Sequence, residues 1–174
     1  RVLFRSTRDN LANLGTAELC RRFEGVELTE LDQLFDHILV NARNEVYVLD
    51  LHSTSAGGEP FATVGDTLRN RHFVRDFPVK VILGIEEQLQ GTMLEHLSNA
   101  GCVTLGFEGG SHTSPTTVQN HISMICLALV NAGIVWEEDM PHLVDHRSHL
   151  ALQLKGDRIV EVRYRQEVRP GQGF

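Results

Sequence analysis

Apolar residues Leu28, Leu31, Leu34, Phe35, Ile38 and Leu39 recur at three- and four-residue steps between Glu27 and Ala42, which predicts an amphipathic helix. It leads into Val46 to Leu51, a β-branched, aromatic and leucine run that predicts a central strand of a mostly parallel sheet covered on both faces. After the loop from Ala56 to Pro60 comes a short apolar run, Phe61 to Val64. A helix is expected from Asp66 to Phe77, with Pro78 ending it, and Val79 to Ile85 reads as a third strand. A helix over Gly91 to Ala100, closed by Gly101, precedes the apolar run Cys102 to Glu108. Ser114 can cap, and Pro115 open, a further helix that Gly133 ends. Its Val118, Ile122, Ile125, Cys126 and Leu129 are expected to pack one face against the sheet.

This alternation predicts an α/β fold with a mixed, largely parallel sheet and helices on both faces, occupying residues 7–136. Past Trp136, Glu137-Glu138-Asp139 and Pro141 mark a linker. Leu150 to Leu154 and Ile159 to Val168 then alternate like antiparallel strands joined through Gly156-Asp157, so that 137–174 reads as a linker and the start of a small β domain.

Chemistry concentrates where two of these strands stop. The first run ends Asp50-Leu51-His52-Ser53-Thr54-Ser55, which places an imidazole at the carboxyl end of a strand, where open α/β sheets gather their ligands. Asp50 shares its side of the strand and can accept the second ring N–H of a ligating His52. Equally, His52 can be a strand-end histidine bonded to a loop carbonyl. The later run ends Phe107-Glu108-Gly109-Gly110-Ser111-His112. Its lone carboxylate, Glu108, is suited to taking a proton from water or, alternatively, to pairing an arginine at the sheet end. The two glycines permit close approach. His112 could contact substrate or orient Glu108, although a loop histidine bonded to backbone is the commoner arrangement.

Together these segments resemble the succinylglutamate desuccinylase and aspartoacylase family, zinc amidohydrolases related in fold to the zinc carboxypeptidases. The likeness runs through nearly the whole chain after Ser6, and Val162 to Phe174 resembles the beginning of the family's small C-terminal β domain. It implies a zinc ion with His52 as one ligand and Glu108 as general base, with Asp50 and His112 as supporting or substrate-contacting candidates. It also implies a deacylase acting on an N-acyl amino acid or a similar small acylated amine. A zinc carboxypeptidase is a weaker alternative. The family's upstream His-x-x-Glu pair, which provides two more zinc ligands, has no counterpart: no His precedes His37, and the fourth residue after it is Asn41. The family's Asp-x-Asn-Arg substrate element is absent too, since Arg8-Asp9-Asn10-Leu11 is too dissimilar. The chain is therefore expected to be a fragment truncated at both ends and inactive alone, with Arg1 to Ser6 reading as a translated sequencing-adapter scar. The alternative from another class is a non-catalytic α/β module that binds a carboxylated metabolite or a protein partner.

Composition narrows the rest. A formal net charge of −7 gives no electrostatic footprint for nucleic acid. No apolar stretch approaches the roughly 20 residues of a membrane span, so a cytoplasmic enzyme with a small-molecule substrate is the expectation; oligomeric state is not legible. Cys20, Cys102 and Cys126 are odd in number and scattered, as suits reduced thiols. Arg69, Arg71 and Arg75 are expected on a solvated helix face, although one could reach a substrate carboxylate. Ser53, Thr54 and Ser55 lack a Gly-x-Ser-x-Gly elbow and are expected to bond backbone. His142, His146 and His149 invite a metal reading, against which His146 and His149 would point to opposite faces of an extended segment.

Overall fold

A computed structural model describes residues 23–89 and 91–164. Helix α1 (Phe23–Asn41) leads into strand β1 (Tyr47–Thr54). Next come β2 (Phe61–Val64), α2 (Leu68–Val74), β3 (Lys80–Leu83), a single 3-10 turn at Glu86–Gln88, and α3 (Met93–Asn99). Strand β4 (Val103–Ser111), α4 (Pro115–Asn131), a second 3-10 turn at Glu137–Asp139, α5 (Leu143–Ala151) and β5 (Ile159–Glu161) complete the order. The five strands form one sheet in the order β1-β4-β2-β3-β5. Pairing is parallel for β1 with β4, β2 with β3 and β3 with β5, and antiparallel only for β2 with β4. The mixed, largely parallel sheet expected from the sequence is thus observed.

One face of β4 carries Val103, Leu105 and Phe107, all buried, into a core shared with Ala62, Val64 and Val81 of the sheet and with Met124, Leu127 and Leu150 of α4 and α5. The other face carries Thr104 and Gly106. A Cβ on Gly106 would lie 2.5 Å from Thr63 Oγ1 and 3.1 Å from Leu94 Cδ1, so α3 and β2 close over a bare backbone there. Helices therefore cover both faces. From α2, fully buried Asn70 ties in the same strand: its Oδ1 accepts from Thr104 N at 3.0 Å, and its Nδ2 donates to Gly65 O at 3.0 Å.

Several expectations need correction. Strand β1 is not central: among the described residues it is an edge strand, half-buried to exposed, because only β4 pairs with it. Leu150 to Leu154 is not a strand; Leu150 and Ala151 close helix α5, whose His-rich turns hid a helix behind alternating leucines. Strand β5 does not pair back on that segment but extends the main sheet parallel to β3. The boundary at 136/137 concerns chain that continues past 164, and residues 165–174, like 1–22 with Cys20 and the adapter-like start, lie outside the described residues. Helix α2 starts after Thr67 rather than at Asp66, because the Thr67 hydroxyl accepts from Asn70 N and caps it.

The face of α4 is also reversed. Val118, Ile122 and Ile125 are 62, 44 and 38% exposed, and Cys126 and Leu129 are half-buried. The buried face is instead Thr117, Asn120, Ser123, Met124, Leu127 and Ala128. Its C-terminal half is apolar and fills the core, whereas its N-terminal half is polar because it meets free carbonyls at the sheet end. No helix among the described residues is long and apolar enough to cross a membrane.

Candidate active site

His52 and Glu108 are register partners on the parallel strands β1 and β4, so their side chains leave the same face of the sheet side by side. Two residues earlier on that face, Asp50 is opposite Gly106. The His52 ring donates Nε2–H to Asp50 Oδ1 at 2.8 Å. That bond orients the ring and leaves Nδ1 as the nitrogen free to take a further partner. On the other side of β4, Glu108 is level with Phe61 of β2, and Phe61 with Lys80 of β3. Lys80 does not reach toward Glu108 as its cation, since its ammonium pairs with Glu59. Among the described residues, Glu108 Oε2 is buried with no hydrogen-bond partner. A buried carboxylate oxygen without a donor is costly, so packing alone does not account for Glu108.

A second carboxylate, Glu86, is buried near enough to Asp50 to feel its charge. Burial pushes its pKa up, hydrogen bonds from the Thr63 and Thr92 hydroxyls hold it back, and the charges of Glu87 and Asp50 raise it further. The sequence reading missed Glu86, because a Glu in a polar loop carries no signal of burial.

Past Glu108 the two strands fall out of step. His52 is opposite Glu108, but Thr54 is opposite Ser111, so β4 has one residue more than β1 across a bulge at Gly109-Gly110. Gly110 has φ of +121°, a conformation that favours glycine. The bulge carries His112 across to β1: His112 N donates to Thr54 O at 2.9 Å, and Ser53 Oγ lies 2.7 Å from His112 Nδ1. The His112 side chain is therefore engaged by a hydroxyl rather than by backbone, and Ser53 is occupied by that histidine, while Thr54 donates to Ala56 O as expected.

The remaining candidates separate. Arg69 donates to Ser98 O, Arg71 pairs with Asp66 and Arg75 with Asp76 at 3.5 Å, all at the surface. Cys102 and Cys126 are free thiols. His146 and His149 do not point to opposite faces, because the segment is helical and three-residue spacing brings them to one side. Each already has a partner: Ser123 Oγ lies 3.0 Å from His146 Nδ1, and His149 donates to Asn120 Oδ1 at 2.7 Å. Among the described residues no three His, Cys, Asp or Glu side chains are grouped as a metal site requires. The three protein ligands typical of a catalytic zinc are therefore not assembled among them.

No protein-family model and no curated protein matches the chain. Among solved structures, succinylglutamate desuccinylase from Chromobacterium violaceum superposes with a TM-score of 0.57 at 16% identity, over 98% of this chain and 52% of that one. The chain has the desuccinylase fold. The ectoine utilization protein EutE (DoeB) from Ruegeria pomeroyi shares that fold in its apo structure, with a TM-score of 0.53 at 18% identity, over 76% of this chain and 41% of that one. Its product-bound structure gives 0.51 at 17% identity, over 75% and 38%. The chain thus spans about half, or less, of the length of these desuccinylase-fold proteins.

Proposed function

We propose that this chain is the part of a deacylase that presents the general base and one metal ligand, and that the whole enzyme hydrolyses the amide bond of an N-acyl amino acid or a similar small acylated amine. The observation that carries this reading is the register pairing of His52 with Glu108, with Asp50 bonded behind the imidazole and Glu108 Oε2 buried without a partner. The desuccinylase fold supports it. In this reading His52 is one of three zinc ligands, the other two coming from outside the described residues, and zinc would polarise the scissile carbonyl and lower the pKa of water. Glu108 takes the proton of the attacking water as its oxygen bonds to the carbonyl carbon. It then delivers that proton to the amine nitrogen as the C–N bond breaks. Asp50 keeps the His52 ring in one orientation throughout.

The test is a pair of substitutions in the full-length protein that carries this chain, assayed for zinc content and for hydrolysis of a panel of N-acyl amino acids. Glu108→Gln preserves shape and metal but removes the base, so turnover should fall by roughly 100-fold or more with zinc content unchanged. His52→Ala should lose both metal and activity. Near-normal turnover in Glu108→Gln would make Glu108 structural and overturn its assignment as the base, whereas no hydrolysis of any panel member by the unaltered full-length protein would leave the binding-module reading standing.

A further inference from the structure

From the first two turns of α4, three side chains reach the carbonyls that the bulge frees at the ends of β1 and β4. Thr117 Oγ1 donates to Ser111 O at 2.6 Å, Asn120 Nδ2 donates to Gly109 O at 2.7 Å, and His121 Nε2 bonds His52 O at 2.8 Å. Thr117 and Asn120 are buried, and Asn120 is backed by His149 and Gln153 of the α5 region, each 2.7 Å from its Oδ1. The His121 ring stands edge-on to Phe107, with centroids 5.8 Å apart. It reaches the His52 carbonyl only because residue 109 is glycine, since a Cβ there would collide with the ring at Nε2, Cδ2 and Cε1. One helix terminus thus holds the backbone of both site strands, at His52 itself and at the residue after Glu108.

We infer that His121 is a positioning residue for the proposed hydrolysis, setting the spacing of His52 and Glu108 by donating Nε2–H to the His52 carbonyl. The inference rests on the deacylase reading for its effect on turnover, but the contact itself does not. His121 acts on the His52 backbone while Asp50 acts on its ring, so the ligand is fixed from two directions. Loss of such a supporting contact typically costs about 10- to 100-fold in activity or metal affinity, because small displacements of a reacting group are expensive.

The test has two arms on the full-length protein. In the first, the ring ¹⁵N shifts of His121 in the unaltered protein should show Nε2 protonated; a ring protonated at Nδ1 alone would overturn the inference, since that tautomer cannot donate to the carbonyl. In the second, His121→Gln places an amide N–H at comparable reach, whereas His121→Phe fills the space without a donor. Turnover should fall by about 10-fold or more in Phe, with KM little changed, and should largely return in Gln. Full activity in the Phe variant would show that the ring only packs. If Glu108→Gln and His52→Ala prove active, the roles given to those two residues fall on their own, and a ring protonated at Nδ1 alone would still exclude the His121 contact.

Discussion

At the scale of single residues, Glu86 makes the sharpest thermodynamic statement. Its folded-state pKa is raised, chiefly by burial, so the native chain binds its proton more tightly than the unfolded chain does. Stability from this group is therefore fully present below the ordinary carboxylate range and is lost as pH rises through the raised folded pKa. Glu86→Gln removes the charge, and the Thr63 and Thr92 hydroxyls can each turn to donate or accept. The variant should unfold at higher urea than the parent at pH 8 and show no such advantage at pH 4. An unchanged midpoint at pH 8 would mean that Glu86 is not desolvated as described. This carboxylate was invisible in the sequence, unlike His52 and Glu108, each of which ends or interrupts an apolar run and so declares itself. His121 had no such signal, being one histidine in a mostly apolar helix. Only Gly109-Gly110 hinted that something must come close, without saying what.

Among the elements, α3 shows how a short helix is held. Thr92 caps it, with Oγ1 accepting from Glu95 N at 3.1 Å, and Glu95 Oε2 reaches back to Gly91 N at 3.0 Å. The same Thr92 hydroxyl donates to Glu86 Oε2. Thr92→Ala should therefore cost about 1–2 kcal/mol, the upper part of the usual capping range, measured as a fall in urea midpoint at constant slope. A loss near zero would show that the cap contributes nothing. The strands were legible because their apolar runs are short and bounded by glycine and proline. The face of α4 was not, since Val118, Ile122 and Ile125 have the spacing of a core stripe, while the true inward face begins with Thr117, Asn120 and Ser123. Sequence patterning reads burial as apolar, and it fails where a helix is buried for the hydrogen bonds it gives. The segment at 150–154 failed for a different reason: alternating leucines fit a strand as well as they fit the last turn of α5 and the turn after it.

For the whole molecule, the sheet order β1-β4-β2-β3-β5 places β1 at an edge among the described residues, and the chain spans about half the length of the C. violaceum desuccinylase whose fold it has. In the proposed reading His52 is one zinc ligand, and no group of three candidate ligands is present among the described residues. This chain by itself should bind zinc orders of magnitude more weakly than a completed three-ligand site, and calorimetric titration checks this. Tight, stoichiometric zinc would move the metal site elsewhere in the chain. The bulge at Gly109-Gly110 has a further consequence, for how the gene can change. Each residue of a helix turns it by about 100° and advances it by about 1.5 Å. Adding or removing one residue between Glu108 and Thr117 would swing Thr117, Asn120 and His121 away from their three carbonyls together. Surface connections usually absorb insertions and deletions freely. This one should accept new residue identities at exposed Thr113, Pro115 and Thr116 far more readily than a change in their number.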